Sequence, residues 1–229
     1  MAKISIAVPV HNAQEHVSKL LECFDNSEAR YVEKVFVNDS SDEHTTEMLL
    51  EYCSNRNCQY LYNDKQQLFT RSLNRAIRAC QPNTDLYVCV NTDCELKPGW
   101  LNRLVSAYEK HPKSAIIGYP DGSPNDGEGE QQAFYPSVPD HPDYITGHCF
   151  LVPKQAFKDI GVLCETDINQ AHIASERLWC WRAAKKGYEM YYVNSNLCVH
   201  DSGGPSWNRD LGWLYSFDYS TLWAGNDML

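Results

Sequence analysis

Residues 86–95 read Leu86-Tyr87-Val88-Cys89-Val90-Asn91-Thr92-Asp93-Cys94-Glu95, LYVCVNTDCE. Five apolar residues run straight into an amide, a hydroxyl and a carboxylate. A short apolar run without polar alternation predicts a strand buried on both faces. Such strands belong to sheets with helices on either side, which points to an α/β fold. Asn91, Thr92 and Asp93 then pose a question. Either they make a turn, or they hold something charged where the strand ends.

The same logic extends upstream. Ile4 to Val10 predicts a first strand, and Val17, Leu20, Leu21 and Phe24 follow at the spacing of an amphipathic helix. Val35 to Val37 predicts a second strand, with a helix around Met48 to Cys53. Tyr60 to Tyr62 predicts a third strand, and Phe69, Leu73, Ala76, Ile77 and Cys80 mark the next helix. After the Leu86–Val90 strand, Pro98 suits the first turn of a helix carrying Leu101, Leu104, Val105 and Tyr108. Ala115 to Tyr119 predicts a fifth strand. Strand–helix alternation of this kind argues for a mostly parallel sheet flanked by helices. In such sheets ligands bind at the carboxyl ends of the strands. Asn38-Asp39-Ser40-Ser41-Asp42 and Asn91-Thr92-Asp93 both fall at such ends.

Residues 120–144 are rich in Pro, Gly, Asp and Ser and lack a period, which predicts a long loop excursion. Beyond it, Tyr144 to Val152 predicts a strand, Gln155 to Ile160 a short helix, and Ala174 to Lys186 a helix stopped by Gly187. Met190 to Val193 and Leu197 to His200 predict short strands. The tail is aromatic and irregular, with Trp207, Trp213, Tyr215, Phe217, Tyr219 and Trp223. No repeat and no interdomain linker interrupts the chain, so a single domain over 1–229 is expected.

Composition narrows the function classes. The chain has 229 residues, 43% of them hydrophobic, as in an ordinary globular protein. The net charge of −10 argues against nucleic-acid binding, because such a chain repels a phosphate backbone. It leaves open an anionic ligand that arrives with a metal cation. None of the ten cysteines forms a C-x-x-C pair, and Cys89, Cys149, Cys180 and Cys198 sit inside apolar runs. That suits buried free thiols in a reducing compartment rather than a disulfide framework or zinc site. The N-terminal apolar stretch is too short for a signal peptide, and no run approaches a membrane span of about 20 residues. A cytoplasmic protein without a membrane anchor is the expectation. The abrupt end at WAGNDML fits the N-terminal module of a longer chain.

Four polar clusters carry candidate chemistry, each with a structural alternative. Asn38 to Asp42 reads as a turn and helix N-cap, or as a ligand loop. Asn91-Thr92-Asp93 reads as a cap, or as a hard-cation site, since magnesium or manganese on a diphosphate needs only one or two protein carboxylates. His200, in Val199-His200-Asp201, is a structural imidazole or a nitrogen ligand to manganese. Glu176, in Ser175-Glu176-Arg177, either complements a helix dipole or acts as a general base near a sugar hydroxyl.

In order and spacing these segments resemble the family 2 glycosyltransferases of the GT-A fold, from Ile4 to about Ser206. ISIAVPVHN resembles that family's first strand, with Pro9 and Asn12 in place. VFVNDSSDEHT is similar to its V-D-D-x-S-x-D segment, with Asn38 where the first Asp is common. LFTRSLNRAI matches the G-F-x-x-A-x-N-x-G helix at Phe69 and Asn74, with Leu68 and Ala76 replacing its glycines. VNTDCELKPGWL resembles the metal-binding strand end, ITGHCFLVPKQAF the acceptor-side strand and helix. SERLWCWRAAKKGYEMYYVNSNLCVHDSGG resembles the catalytic helix and the strand that follows. The N-x-D form looks most like rhamnosyltransferase-like members.

The resemblance implies a nucleotide-sugar-binding half over 1–119 and an acceptor and catalytic half over 145–229, with a smaller acceptor-side sheet region. It implies that Pro9, Val10, Asn12, Asp39 and Arg71 line the nucleotide pocket, with Asp39 reading the base, usually uracil. Asn91, Thr92 and Asp93 stand where the D-x-D motif stands. Asp93 and His200 would hold a divalent metal, manganese by preference or magnesium. Glu176 takes the place of the family's catalytic Asp, and Gly147, His148, Trp179 and Trp207 fall on the acceptor side. The implied reaction is inverting transfer of a sugar from a nucleotide-sugar donor, a UDP-sugar by resemblance, to a glycan or glycoconjugate hydroxyl. Two alternatives remain open. One is an inactive nucleotide-sugar-binding module, which Glu176 in place of Asp keeps alive. The other is a sugar nucleotidyltransferase, which needs a Gly-rich basic loop that Val10 to Gln14 lacks.

Overall fold

A computed structural model describes residues 2–120, 129–133, 145–165 and 174–201, apart from the side chains of Ala174 and Arg177. In chain order the elements are β1 (Ile4–Val10), α1 (Gln14–Asp25), a 3-10 turn (Glu28–Tyr31), β2 (Glu33–Asn38), α2 (Glu43–Ser54), β3 (Cys58–Tyr62), α3 (Leu68–Ala79), β4 (Leu86–Val90), β5 (Cys94–Leu96), α4 (Trp100–Lys110), β6 (Ser114–Gly118), β7 (Gly129–Gln132), β8 (Cys149–Pro153), α5 (Lys154–Ile160), α6 (Ala174–Lys185), β9 (Glu189–Asn194) and β10 (Cys198–His200).

Eight strands form one sheet in the order β3-β2-β1-β4-β8-β6-β9-β7. Strands β3, β2, β1 and β4 are parallel, the expected nucleotide-binding arrangement. Strand β8 then runs antiparallel between β4 and β6, so the second half of the sheet is mixed. Strands β10 and β5 make a separate antiparallel pair.

Strand alternation divides the core into two layers. Ile6, Val8 and Val10 of β1 and Val88 and Val90 of β4 face α1 and α4, meeting Leu20, Phe24, Trp100 and Leu104. Ala7, Val35, Val37 and Cys89 face the other way, against Leu73, Ala76 and Ile77 of α3. Leu86–Val90 is therefore covered on both faces, as its composition predicts. Burying each large apolar side chain contributes about 1.5–3 kcal/mol, so sheet position is strongly specified.

The helix starts use different devices. Asp42 caps α2, accepting from Thr45 N at 2.8 Å, which is the turn-and-cap reading of that cluster. Helix α4 begins after Pro98, with Gly99 in the left-handed region at φ 94°. Its first N–H groups are capped by the distant Glu28 carboxylate, from Gly99 N (2.9 Å), Leu101 N (2.8 Å) and Asn102 N (3.1 Å).

Three features depart from the sequence expectation. Strand β7 lies inside the 120–144 excursion and pairs antiparallel with β9, anchored to α4 by ion pairs of Glu130 with Arg103 and Lys110. Strand β5 follows the Asn91–Asp93 turn almost at once. The strand expected from Tyr144 begins only at Cys149, because residues 145–148 are taken up by the site. The aromatic tail, including Trp207, lies outside the described residues; among the described residues no helix is long and apolar enough to cross a membrane.

Candidate active site

The carboxyl ends of β1 and β2 are joined by Asp39 N donating to Val10 O at 2.7 Å. Asn12 N donates to Ser41 Oγ (2.9 Å), and Asp42 N donates to Asn12 Oδ1 (2.9 Å), locking the two loops together. Asn38 is fully buried. Its side-chain oxygen accepts from Ser41 N, and its Nδ2 donates to Thr46 Oγ1 (2.8 Å) and Tyr60 Oη (2.9 Å). An aspartate could not donate to either hydroxyl, which gives the amide at this position a local reason.

Asp39 is 3% exposed. Its Oδ1 accepts from Asn63 Nδ2 and from Gln67 N, both at 2.7 Å, and its Oδ2 from Leu68 N at 2.8 Å. The carboxylate thus ties the start of α3 to the end of β2. An open cavity lined by Tyr62, Asn63, Asp64, Lys65, Gln67 and Arg75 adjoins it. Asn12, Ala13, Ser40 and Leu68 are the non-glycine residues of positive φ among the described residues, and all four lie around this crevice. Such conformations are costly and cluster where surrounding structure holds a site in shape. Pro9 is buried beside Val37 in the β1–β2 register, and Arg71 is half-buried on the first turn of α3.

The end of β4 is held from across the sheet. Asn91 N donates to His148 O (2.7 Å), and the Cys94 thiol donates to the same oxygen (3.3 Å). Thr92 lies in the turn between them. Register pairing of β10 with β5 sets His200 opposite Cys94. Asp201 N donates to Asp93 O at 2.9 Å, and Asp201 Oδ2 lies 3.2 Å from His16 Nε2 on α1. As a result Asp93 Oδ1 and His200 Nε2 lie 3.4 Å apart, with each side chain 6% exposed. Asp93 Oδ1 is buried and has no hydrogen bond among the described residues. The His148 ring stacks on His200 at 4.5 Å with 12° between planes, and Thr146 Oγ1 holds its Nδ1 at 2.9 Å.

Glu176 occupies the first turn of α6 and is 5% exposed. Its Oε2 accepts from Ser175 Oγ (2.9 Å), which in turn accepts from Thr70 Oγ1 of α3 (3.0 Å). Gly147 packs directly on the other oxygen: a Cβ there would stand 2.2 Å from Glu176 Oε1. The carboxylate also acts on a thiol one turn along its own helix. Burial, with Glu176 adding to it, pushes the Cys180 thiol up to about 12.

The family model for glycosyl transferase family 2 matches residues 5–161 of this chain. The chain belongs to that family. Among curated relatives it is 24% identical, over 89% of its length, to a poly-beta-1,6-N-acetyl-D-glucosamine synthase of Staphylococcus epidermidis. It spans only 55% of that relative. Among solved structures it resembles residues 1–349 of S. aureus TarS, at TM-score 0.64 and 16% identity, covering 86% of this chain and 60% of the other. TarS has been crystallised with UDP and with UDP-GlcNAc. The mannosyltransferase PcManGT of Pyrobaculum calidifontis, in complex with GDP-Man and Mn2+, gives TM-score 0.66 at 13% identity, covering 90% of this chain and 59% of the other. These likenesses establish the GT-A fold.

Against that family the expected site residues divide clearly. Asp39, Asn12, Pro9 and Val10 converge at one loop cluster, and Asn91, Thr92, Asp93 and His200 at a second. Gly147 sits beside Glu176. His148, expected on the acceptor side, is placed against His200. Trp179 is 2% exposed, donates its Nε1–H to Gly161 O at 2.7 Å, and packs edge-on to Phe157, so it belongs to the core beneath α5. Asn74, matched by the family motif, braces α3 by pairing its amide with Leu163 N (3.1 Å) and O (2.8 Å). Asn63, Gln67, Thr146 and Ser175 carry no signal of their own in the sequence, because their partners lie on other elements.

Asp93 and His200 fit a divalent cation. Two donors on one ion, each about 2.1 Å from it, must lie within roughly 4.2 Å of each other. The buried Asp93 oxygen would supply charge and His200 a nitrogen. Among the described residues no group of three or more His, Cys, Asp or Glu is arranged as a complete cage. Phosphate oxygens and water conventionally complete a two-ligand magnesium or manganese site.

Proposed function

We propose that this chain is an inverting glycosyltransferase that moves a sugar from a UDP-sugar to a hydroxyl of a glycan or glycoconjugate. The observation carrying the proposal is Asp93 Oδ1, buried, without a hydrogen bond among the described residues, and 3.4 Å from His200 Nε2. A buried carboxylate oxygen left unsatisfied costs about 1–3 kcal/mol or more, so its retention points to a ligand that satisfies it. Manganese or magnesium held by Asp93 and His200 would neutralise charge developing on the departing diphosphate.

The other residues then have distinct tasks. Asp39 and the loop from Asn63 to Gln67 receive the nucleobase, with Pro9, Val10, Asn12 and Arg71 along the nucleotide. Asn91 and Thr92 bind by hydrogen bonding at the ribose and diphosphate. Glu176 removes the proton of the acceptor hydroxyl as its oxygen attacks the anomeric carbon opposite the nucleotide, which inverts the configuration. Ser175, itself held by Thr70, fixes the carboxylate rotamer through Oε2. Gly147 leaves the other oxygen room to face an acceptor. Because the curated relative makes an N-acetylglucosamine polymer and TarS binds UDP-GlcNAc, UDP-GlcNAc is the first donor to test.

Titration calorimetry with UDP, with and without manganese, tests the ligand site. Wild type should bind UDP more tightly with manganese, and Asp93→Asn should lose that increment. Equal affinity with and without the ion would remove the Asp93–His200 assignment. Turnover of UDP-GlcNAc and other UDP-sugars, compared with Glu176→Gln, tests the chemistry. UDP binding without any sugar release would favour a binding module instead.

A further inference from the structure

Two thiols stand together at the end of the sheet opposite the nucleotide crevice. Cys53 lies in the last turn of α2 and Cys58 opens β3, the edge strand. The residues between them, Ser54-Asn55-Arg56-Asn57, fold back tightly. Asn55 N and Arg56 N donate to Cys53 O, and Cys58 N donates to Arg56 O at 2.8 Å. The turn is fastened to β2 by Lys34 N donating to Asn57 O at 3.1 Å. Both side chains pack against the same core cluster. Both residues are partly exposed, whereas Cys80, Cys89, Cys94, Cys149, Cys180 and Cys198 are buried.

The surroundings make the pair asymmetric. Parallel register sets Lys34 beside Cys58. Lys34 is fully buried, yet its ammonium is held by Val32 O (3.0 Å) and Arg30 O (3.4 Å). Arg56 adds a second cation, stacked 4.0 Å over Tyr52 and paired with Asp25. Interaction with the neighbouring Cys53 thiol lowers the Cys58 thiol, helped by the charges of Lys34 and Arg56 and opposed by burial. The same interaction, together with burial, raises Cys53. A thiolate that attacks and a thiol that resolves need this division.

We propose that Cys53 and Cys58 form a dithiol modification site that exchanges with low-molecular-weight disulfides. The Cys58 thiolate attacks one sulfur of the disulfide, a new S–S bond forms, and one small thiolate leaves. The Cys53 sulfur then attacks the Cys58 sulfur and expels the second thiolate, which takes the Cys53 proton. The protein loses two electrons, and the small disulfide is reduced to two thiols. The site lies outside the nucleotide crevice, and the proposal does not depend on donor chemistry.

Oxidised glutathione is the probe, followed by alkylation under native conditions and peptide mass mapping. Wild type should give a Cys53–Cys58 disulfide and retain no glutathione on either residue. Cys53→Ser should retain one glutathione on Cys58. Cys58→Ser should react at Cys53 about tenfold more slowly, because the better-ionised attacking thiol is gone. Cys58→Ser reacting as fast as wild type would overturn the assignment of roles. Glutathione spread equally over Cys23, Cys164 and Cys58, with Cys53 still open to alkylation, would overturn the site itself.

Discussion

The imidazole of His148 stacks on that of His200 at 4.5 Å, with 12° between the rings. His148 reaches that position because β8 runs antiparallel beside β4, bringing the end of one strand to the start of the other. Its carbonyl also anchors Asn91 N, so one residue braces both sides of the proposed cation site. His148→Ala should weaken manganese-dependent UDP binding about 10–100-fold, the range for groups that orient metal ligands. His148→Phe keeps the stack and should lose less. Calorimetry at several manganese concentrations separates this from a folding defect, since UDP binding without metal should stay unchanged.

Gly147 and Glu176 form a second close pair. Gly147→Ala would drive a methyl into Glu176 Oε1, so the carboxylate must turn away from its present rotamer. Overpacking of this kind costs about 1–3 kcal/mol in stability. Turnover should fall roughly as far as in Glu176→Gln, about 10²–10⁴-fold. UDP affinity should hold. Retained turnover in Gly147→Ala would separate Glu176 from the chemistry.

Asn38→Asp tests why an amide stands where the family usually has an acid. The carboxylate cannot donate to Thr46 Oγ1 or Tyr60 Oη, and it is buried at the sheet end. Chemical denaturation should show a loss of about 1–3 kcal/mol. No loss would mean that the hydroxyls reorient to donate instead.

Glu28 makes stability depend on pH. Burial works to raise its carboxyl, but N–H groups of Gly99, Asn102 and Leu101 outweigh it and hold the group below the usual range. A depressed folded value stabilises the protein above the unfolded value of about 4.3 and loses that stability as pH falls through the folded value. Glu28→Gln should therefore be less stable than wild type at pH 7, by roughly 1–2 kcal/mol. The gap should close as pH falls below about 4, and a gap constant with pH would contradict the cap.

Elements whose signal is local were legible in the chain. Leu86–Val90 is a strand within its expected bounds, and Val17, Leu20, Leu21 and Phe24 form the buried face of α1. Asp42 is a helix cap, as its residue type suggests. Less local features were not. Strand β7 is polar, Gly129-Glu130-Gln131-Gln132, and exists because β9 offers an edge and α4 offers Arg103 and Lys110. Trp179 carries the same residue type whether it faces an acceptor or the core. Its indole meets Gly161 O and Phe157 because α5 and α6 pack together.

The sequence alone determined the alternation of strands and helices, because burial periodicity is written residue by residue. It also marked Asp39, Asp93, Glu176 and His200 through order and spacing. Only the tertiary structure decided which of them meet. Asp93 and His200 come together because β10 pairs with β5, and Glu176 meets Gly147 because α6 packs beneath the β8 approach. Those contacts depend on strand pairing between distant segments, whose register is set by the whole core rather than by either segment.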